Sequence, residues 1–542
     1  MPILRIRSVL LSLLALIICL PLLALVGSWL EWNATSADVL MAMSDTVLPG
    51  YAATSLLLCL GVALGVTLIG TSTAVAVTLF KFPGKPFFEW ALLLPMAIPA
   101  YVVAYAYTDF LQFSGPLQNF IRNQTGLEGR MLPEVRSLGG AIVVFSLALY
   151  PYVYLLARTA LSERASQLME AARMLGAPLQ RRILEVAMPL ARPAVAAGVA
   201  LALMETLADY GVASYFGIQT LTAGIYKAWL VMDNRIAAAQ LATMLLGTVM
   251  VLLQLEKMAQ ARMRFSSLRS HGLTSDSEPT SLSGLPAIAM STYCALPLFF
   301  GFVLPVLLML RPLMASDLDE PWARFIDWAL NSLRLGLMTA LLAVTLALVL
   351  SFSLRTKKDI ATSMATGLIG LGYAVPGAVV VVGLLLPVTW QQQHWPNSQL
   401  GFWLTATVLG LIWAYMIRFC AVALQTVQSA YTRIPQSLDD SSRMLGVSGI
   451  KLLTTVHVPL LKRSIFAATL LVFVDVMKEL PATLVLRPFN TDTLAVMAYQ
   501  LARDERLGEA ALPSLALVMV GLLPVIYLSR AMKKSSIESS IS

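Results

Sequence analysis

Residues 174–190 read MLGAPLQRRILEVAMPL, and residues 444–460 read MLGVSGIKLLTTVHVPL, a shift of 270 positions. In each copy a glycine follows Met-Leu, and a proline stands thirteen residues further on, next to a long apolar run. Glu205 and Asp209 fall on Asp475 and Glu479 at the same shift, and DNRIAAAQLA at 233–242 falls close to it on DERLGEAALP at 504–513. Upstream, LLLPMAIPA at 92–100 matches IGLGYAVPG at 369–377. The chain therefore reads as two fused repeats.

What surrounds the repeats is apolar. Of the 542 residues, 58% are hydrophobic and 13% charged, against about 25% charged in soluble proteins. Twelve runs are long enough to cross a bilayer. They lie at about 9–30, 52–80, 88–111, 139–160, 193–216 and 236–255, and then at 285–310, 328–354, 361–388, 401–425, 464–486 and 510–529. The first run is too long for a signal-peptide core, which predicts an uncleaved first span. The fold class expected is all-α and polytopic, with two parallel six-helix repeats about an axis along the membrane normal. The first half is 1–260, a basic then Ser/Thr-rich linker occupies 261–284, and the second half is 285–542.

The net charge of +8 follows the loops. Lys81 and Lys85, Arg164 to Arg192, Lys257 to Arg269, Arg355 to Lys358, Arg433 to Arg463 and Arg530 to Lys534 lie on one side, while the loop 31–50 has no Lys or Arg. The positive-inside rule places the basic loops, the linker and both termini in the cytoplasm. It also accounts for the basic balance without nucleic acid. Cys19, Cys59, Cys294 and Cys420 form no CxxC pair, and the three histidines are scattered, so no disulfide frame or zinc-type spacing is present.

The stretch EAARMLGAPLQRRILEVAMPL, 170–190, is the polar exception. Leu168, Ala171, Ala172 and Leu175 share a helical face. Gly176 suits a left-handed helix stop. Pro178 opens a second helix, and Pro189 and Pro193 are expected to break the chain and restart it as the next span. An interfacial helix lying on headgroups is one reading. Its recurrence between the fourth and fifth spans of both halves instead suits docking to a two-fold symmetric partner.

The pattern Glu170-Ala171-Ala172, Gly176, Val186-x-Met188-Pro189 resembles the signature loop of ABC-importer permeases. That resemblance implies a coupling helix seated on an ATP-binding subunit. In the second copy Asp440-Ser441-Ser442 replaces Glu-Ala-Ala, while Gly446 and Pro459 remain. FPGKPFFEWALLLPMAIPAYVVAYAYTDFLQFSGPLQ, ADYGVASYFGIQTLTAGIYKAW and MKELPATLVLRPFNTDTLAVMAYQLARDERLGEAALP are similar to segments of the fused permeases of ferric iron importers. Over roughly 50–530 the resemblance implies the type I ABC importer permease fold and a bacterial inner-membrane location. Two copies of an ATP-binding subunit and a periplasmic ferric-iron-binding protein are the implied partners, besides the lipid bilayer, with no cofactor. Permeases for thiamine, polyamines and aminoethylphosphonate are relatives. A twelve-span secondary transporter is the rival from another class. No GxxxxGK[ST] loop, HExxH or GxSxG occurs, so the chain reads as a transport subunit with no ATPase motif of its own and no catalytic residues.

Carboxylates within spans are costly and mark pathways or structural pairs. Glu205 and Asp209 lie four apart on one expected helix face, and Asp475 and Glu479 are their mates beside Lys478. Two readings stand. The four line a translocation path suited to a hard cation such as Fe(III), or they are structural, pairing with Lys478 or capping a bend near Gly211 and Pro481. Arg418 is expected to snorkel to the cytoplasm.

Overall fold

The computed structural model describes residues 2–30, 34–126, 128–162, 166–267, 279–315, 322–356 and 360–541. Most of the linker, and Arg164, lie outside the described residues. The chain is a helical membrane protein. Among the described residues eight helices are long and apolar enough to span a bilayer, and a ninth is a pair bent by 87°.

The first half runs through α1 (Pro2–Gly27), α2 (Ala34–Asp45), α3 (Leu48–Leu79), α4 (Lys85–Ala91), α5 (Ala100–Leu111), α6 (Pro116–Thr125) and α7 (Leu138–Ala160). It continues as α8 (Ser166–Met174), α9 (Leu179–Arg181), α10 (Met188–Ala208), α11 (Gly211–Tyr215), α12 (Leu221–Tyr226) and α13 (Arg235–Ser267). The second half repeats the order. It comprises α14 (Leu285–Leu298), α15 (Leu304–Ala315), α16 (Trp322–Thr356), α17 (Ile360–Leu371), α18 (Gly377–His394), α19 (Leu400–Thr405) and α20 (Val408–Tyr431). Then come α21 (Gln436–Met444), α22 (Gly449–Leu452), α23 (Val458–Lys478), α24 (Pro481–Leu486), α25 (Leu494–Arg503) and α26 (Leu507–Ile541). With α1, α17–α18 and α23, the long helices and the bent pair fill the twelve expected places.

Several boundaries differ from the sequence reading, each for a backbone reason. The third span of each half is broken at Pro99 and Pro376, which stand extended before α5 and α18. Proline lacks the N–H that would have continued the preceding helix. The fifth spans stop at Ala208 and Lys478, because Asp209 and Glu479 leave the helical conformation. Thus Glu205 and Asp209 do not share one continuous helix face. Pro189 and Pro193 do not break the chain either. Leu179–Ala208 is one helical span, with a π-helical turn at Arg182–Ala187 in which the Met188 N–H reaches back to Ile183. Leu453–His457 is the equivalent turn before Pro459. A π turn re-routes the ladder where a proline cannot donate. The helix α13 continues to Ser267, into the stretch read as linker, whose far end is tied down by Phe80–Lys81 pairing in parallel with Thr280–Ser281.

The packing crosses the halves. One core joins Val62, Val102 and Tyr150 of the first half to Cys294, Leu298 and Leu308 of α14–α15. The other joins Ile18 and Leu25 of α1 to Val379, Leu384 and Tyr415 of the second half. Each half thus lends its first span to the other. Gly383 makes room for α1, since a Cβ there would stand 2.4 Å from the Pro21 carbonyl oxygen. Gly301 does the same against the Leu147 carbonyl oxygen at 2.9 Å. Interfaces of this kind between membrane helices select small residues because backbones must approach closely.

Candidate functional site

Two features stand out, a central cavity and a pair of polar hairpins. The cavity, about 220 Å³, lies where the broken third spans meet the ends of α10 and α23. Glu205, Asp209, Asp475 and Glu479 all line it, with Arg418, Lys478, Tyr101, Tyr152 and Tyr373. Residues distant in sequence are brought together here.

The four carboxyl groups divide by environment. Asp209 ends α10 with an extended backbone, and its Oδ1 accepts from the Val212 N–H at 2.7 Å. Glu479 does the same after α23. Its carboxylate accepts from the N–H groups of Ala482 and Thr483, each at 3.0 Å, and stands 2.8 Å from the Thr483 hydroxyl. Each stands one residue before the N-cap of the short helix that follows, Tyr210 and Leu480, and its carboxylate satisfies first-turn donors that a bend would otherwise orphan. Gly377 is required beside Glu479, because a Cβ at that position would sit 2.7 Å from Oε1. Arg418 turns inward and meets Glu479 Oε1 at 3.2 Å. It therefore does not snorkel, since a buried carboxylate offers it a partner within the wall. Lys478 donates to the Met96 carbonyl oxygen at 3.0 Å and forms no ion pair within 4.0 Å among the described residues. Glu205 and Asp475, repeat mates, have neither a hydrogen bond nor an ion pair among the described residues.

A shell of tyrosines adjoins the cavity. Tyr101 packs on Tyr105, and Tyr105 on Tyr215, with ring centroids 5.6 and 4.6 Å apart. Tyr210 stacks on Tyr226 at 4.1 Å and approaches Tyr499 at 5.9 Å. The hydroxyls of Tyr226 and Tyr499 cross between elements, to the Pro481 carbonyl oxygen at 2.6 Å and to Ser214 at 2.7 Å. Sequence reasoning missed these rings, since tyrosines within apolar runs have no periodicity that separates wall from core.

The hairpins are built alike. Gly176 and Gly446 both take φ of +79°. The Gly176 N–H reaches Arg173 O at 3.0 Å and the Ala177 N–H reaches Ala172 O at 3.0 Å, with Gly446 and Val447 bonding to Arg443 and Ser442 in the same pattern. This double bond set is a Schellman stop, and it needs a left-handed residue. No atom lies within 4 Å of a Cβ built at either glycine, so conformation and not space requires them. Met174 and Leu175 are 85% and 87% exposed, and Met444 and Leu445 are 90% and 83% exposed. Each hairpin thus presents an unpartnered apolar tip. Glu170 is half-buried and Ala171 exposed on α8, while Asp440 and Ser441 are exposed and Ser442 buried on α21.

The inner anchors of the hairpins differ. Met169 is buried under α8. Its mate Asp439 is buried, ion-paired with Arg355 Nε at 2.7 Å and hydrogen-bonded to His457 Nε2 at 3.0 Å. Burial pushes the Asp439 carboxyl up, but hydrogen bonds from Arg355 and His457, and their charges, hold it below the usual aspartate range. No local signal links Arg355 to Asp439, so the network was not legible in the sequence.

The helices enclose one cavity, and two equivalent hairpins each carry an exposed apolar tip. Residues 66–264 match the family described as binding-protein-dependent transport system inner membrane component. The chain is 24% identical to the Fe(3+)-transport system permease protein FbpB 2 of Haemophilus influenzae over 96% of its length and 97% of the relative's. A putative 2-aminoethylphosphonate permease of Salmonella choleraesuis, 24% identical, and the sulfate permease CysT of Salmonella typhimurium, 27% identical, each align with 36% of the chain, covering 70% and 68% of those proteins. Residues 66–264 thus carry an ABC importer permease domain, the inner-membrane component of a binding-protein-dependent transport system, within a multi-pass membrane protein that aligns end to end with a permease.

Proposed function

We propose that this permease carries ferric iron, handed over by an extracytoplasmic binding protein and driven by two separate ATP-binding subunits that dock on α8 and α21. The observation that carries the cargo assignment is the cavity's charge. Four carboxyl groups face two cationic side chains there, and carboxylate oxygens suit a hard cation. The end-to-end similarity to an Fe(3+) permease supports the same reading. The exposed Met-Leu tips, at symmetry-equivalent positions, support the docking of one subunit at each hairpin. In this orientation the hairpins and both termini face the cytoplasm, and the cavity fills from the opposite side.

A second reading has a specific observation behind it. Arg418 and Lys478 line the same cavity, and sulfate and phosphonate permeases are among the relatives. Because Arg418 is paired with Glu479, it is already neutralised, which favours the cation. The test is reconstitution of the permease with its ATP-binding subunits in liposomes, followed by ATP-dependent uptake. Iron uptake in the presence of an iron-loaded binding protein supports the proposal. Uptake of sulfate or phosphonate with no response to iron overturns it.

A further inference from the structure

We propose that Arg355, Asp439, His457 and Tyr431 form a rigid joint that positions the second hairpin on the spans lining the cavity. The two ATP-binding subunits then work on unequal arms, one held by directed polar bonds and one by apolar packing. The proposal rests on the docking of those subunits on α8 and α21, and adds how docking reaches the cavity.

Arg355 stands in the last turn of α16. A guanidinium has five N–H donors, and here all of them are taken. Nε and Nη2 donate to the Asp439 carboxylate at 2.7 and 3.1 Å. Nη1 donates to the carbonyl oxygens of Tyr431 and Ile434 at 3.2 and 2.9 Å, and Nη2 to that of Pro435 at 2.9 Å. These carbonyls belong to the segment that leaves α20 and enters α21, so one side chain clamps the entry of the hairpin. His457 holds the exit, at the end of the π-helical turn that opens α23. Its Nε2 lies 3.0 Å from Asp439 Oδ1, and its Nδ1 lies 3.2 Å from the Tyr431 hydroxyl. Phe352 and Tyr431 pack edge-on against the imidazole, with centroids 5.3 and 5.4 Å away. The contacts close a ring through α16, α20, α21 and α23. All four members are buried at their polar ends, and none leaves a buried side-chain polar atom without a partner. A polar network satisfied in this way holds one geometry.

The ring leads directly to the cavity. At about 1.5 Å per residue, Arg418 lies about 20 Å along α20 from Tyr431, and Asp475 about 27 Å along α23 from His457. Both helices run unbroken over those stretches, and both residues line the cavity. The first hairpin is anchored differently. At the shift of 270, Asp439 falls on Met169 and His457 on Ala187, and both are buried. Neither side chain can form an ion pair, so this anchor of α8 is apolar contact, which is non-directional.

The test uses the full chain, free of its native cysteines and carrying Leu471→Cys in the cavity wall, assembled with its ATP-binding subunits in nanodiscs. Trapping those subunits closed with ADP and vanadate should change the rate of maleimide labelling at position 471 at least fivefold. His457→Leu should abolish that change in complexes that still co-elute as one species. His457→Gln, which keeps a donor toward Asp439, should preserve most of it. Hydrogen exchange in the assembled complex should be at least tenfold slower at 436–447 than at 166–177, and His457→Leu should remove the difference. A full labelling response in His457→Leu overturns the joint, and equal exchange at the two hairpins in the wild type overturns the unequal arms. A variant with aspartate at Met174, Leu175, Met444 and Leu445 separates the two readings. Loss of co-elution there supports docking at the hairpins, so that a failed His457→Leu result sinks the joint alone. Undiminished co-elution sinks the docking reading and the joint together.

Discussion

Arg418 Nη1 stands 3.2 Å from Glu479 Oε1, between side chains that are 14% and 1% exposed. The pair ties α20 to the bend after α23, and the same carboxylate accepts from first-turn donors of α24. Glu479→Gln keeps the shape but leaves a guanidinium without its counter-charge. Removing one partner of a buried pair costs about 3 kcal/mol, so the thermal midpoint and folded yield in detergent should fall. Adding Arg418→Met should restore much of the loss, and Lys478→Met should not, because Lys478 bonds to Met96 and not to Glu479. Rescue by Lys478→Met instead would refute the assignment.

Asp439 predicts an acid sensitivity confined to the second hairpin. Its folded carboxyl lies below the usual aspartate range. The stabilisation is therefore fully present above the unfolded value of about 3.9 and is lost as pH falls through the lower folded value. Asp439→Asn should remove that pH dependence and cost about 3 kcal/mol at neutral pH, because Arg355 loses its carboxylate. Pepsin cleavage within 436–447 as pH falls, compared with cleavage at the first hairpin, checks the expectation. There the buried Met169 carries no charge, and equal acid response of the two hairpins would contradict it.

Gly176→Val and Gly446→Val should each strain the hairpin by about 1–3 kcal/mol, the cost of holding a branched residue at positive φ. ATPase activity stimulated by the loaded binding protein should drop while membrane insertion persists. Gly→Asn should be milder, since asparagine tolerates the left-handed region. The first-half change should be the more damaging, because that copy retains Glu170-Ala171-Ala172. Full stimulation in both valine variants would remove the docking assignment.

The orientation can be read with single cysteines at Ser44 and Ser448, both exposed, in a background lacking the four native cysteines. An impermeant maleimide should label Ser44→Cys in intact spheroplasts and Ser448→Cys only after permeabilisation. Labelling of both from outside would reverse the topology.

The amino-acid sequence by itself determined the elements that depend on local chemistry. Apolar length set the spans, basic loops set the expected sidedness, and the repeated Met-Leu-Gly pattern located both hairpin stops at Gly176 and Gly446. The repeat also marked Glu205, Asp209, Asp475 and Glu479 as equivalent pairs before any packing was known. Span ends were less legible. Asp209 and Glu479 continue an apolar run in sequence, yet their carboxylates satisfy first-turn donors of the next helix, a competition between side-chain and ladder hydrogen bonding that hydropathy does not record.

Only the tertiary structure decided which half each first span packs against, and which carboxylates are tied to the backbone at the bends. The exchange of α1 and α14–α15 depends on close backbone approach at Gly383 and Gly301, set by partners far along the chain. Arg418 was expected in the cytoplasm because its own span places it near an end. A carboxylate on another span, 61 residues away, offers it a counter-charge in the wall. Ion pairs and unpaired phenols are properties of the space between helices, and that space exists only once the helices have packed.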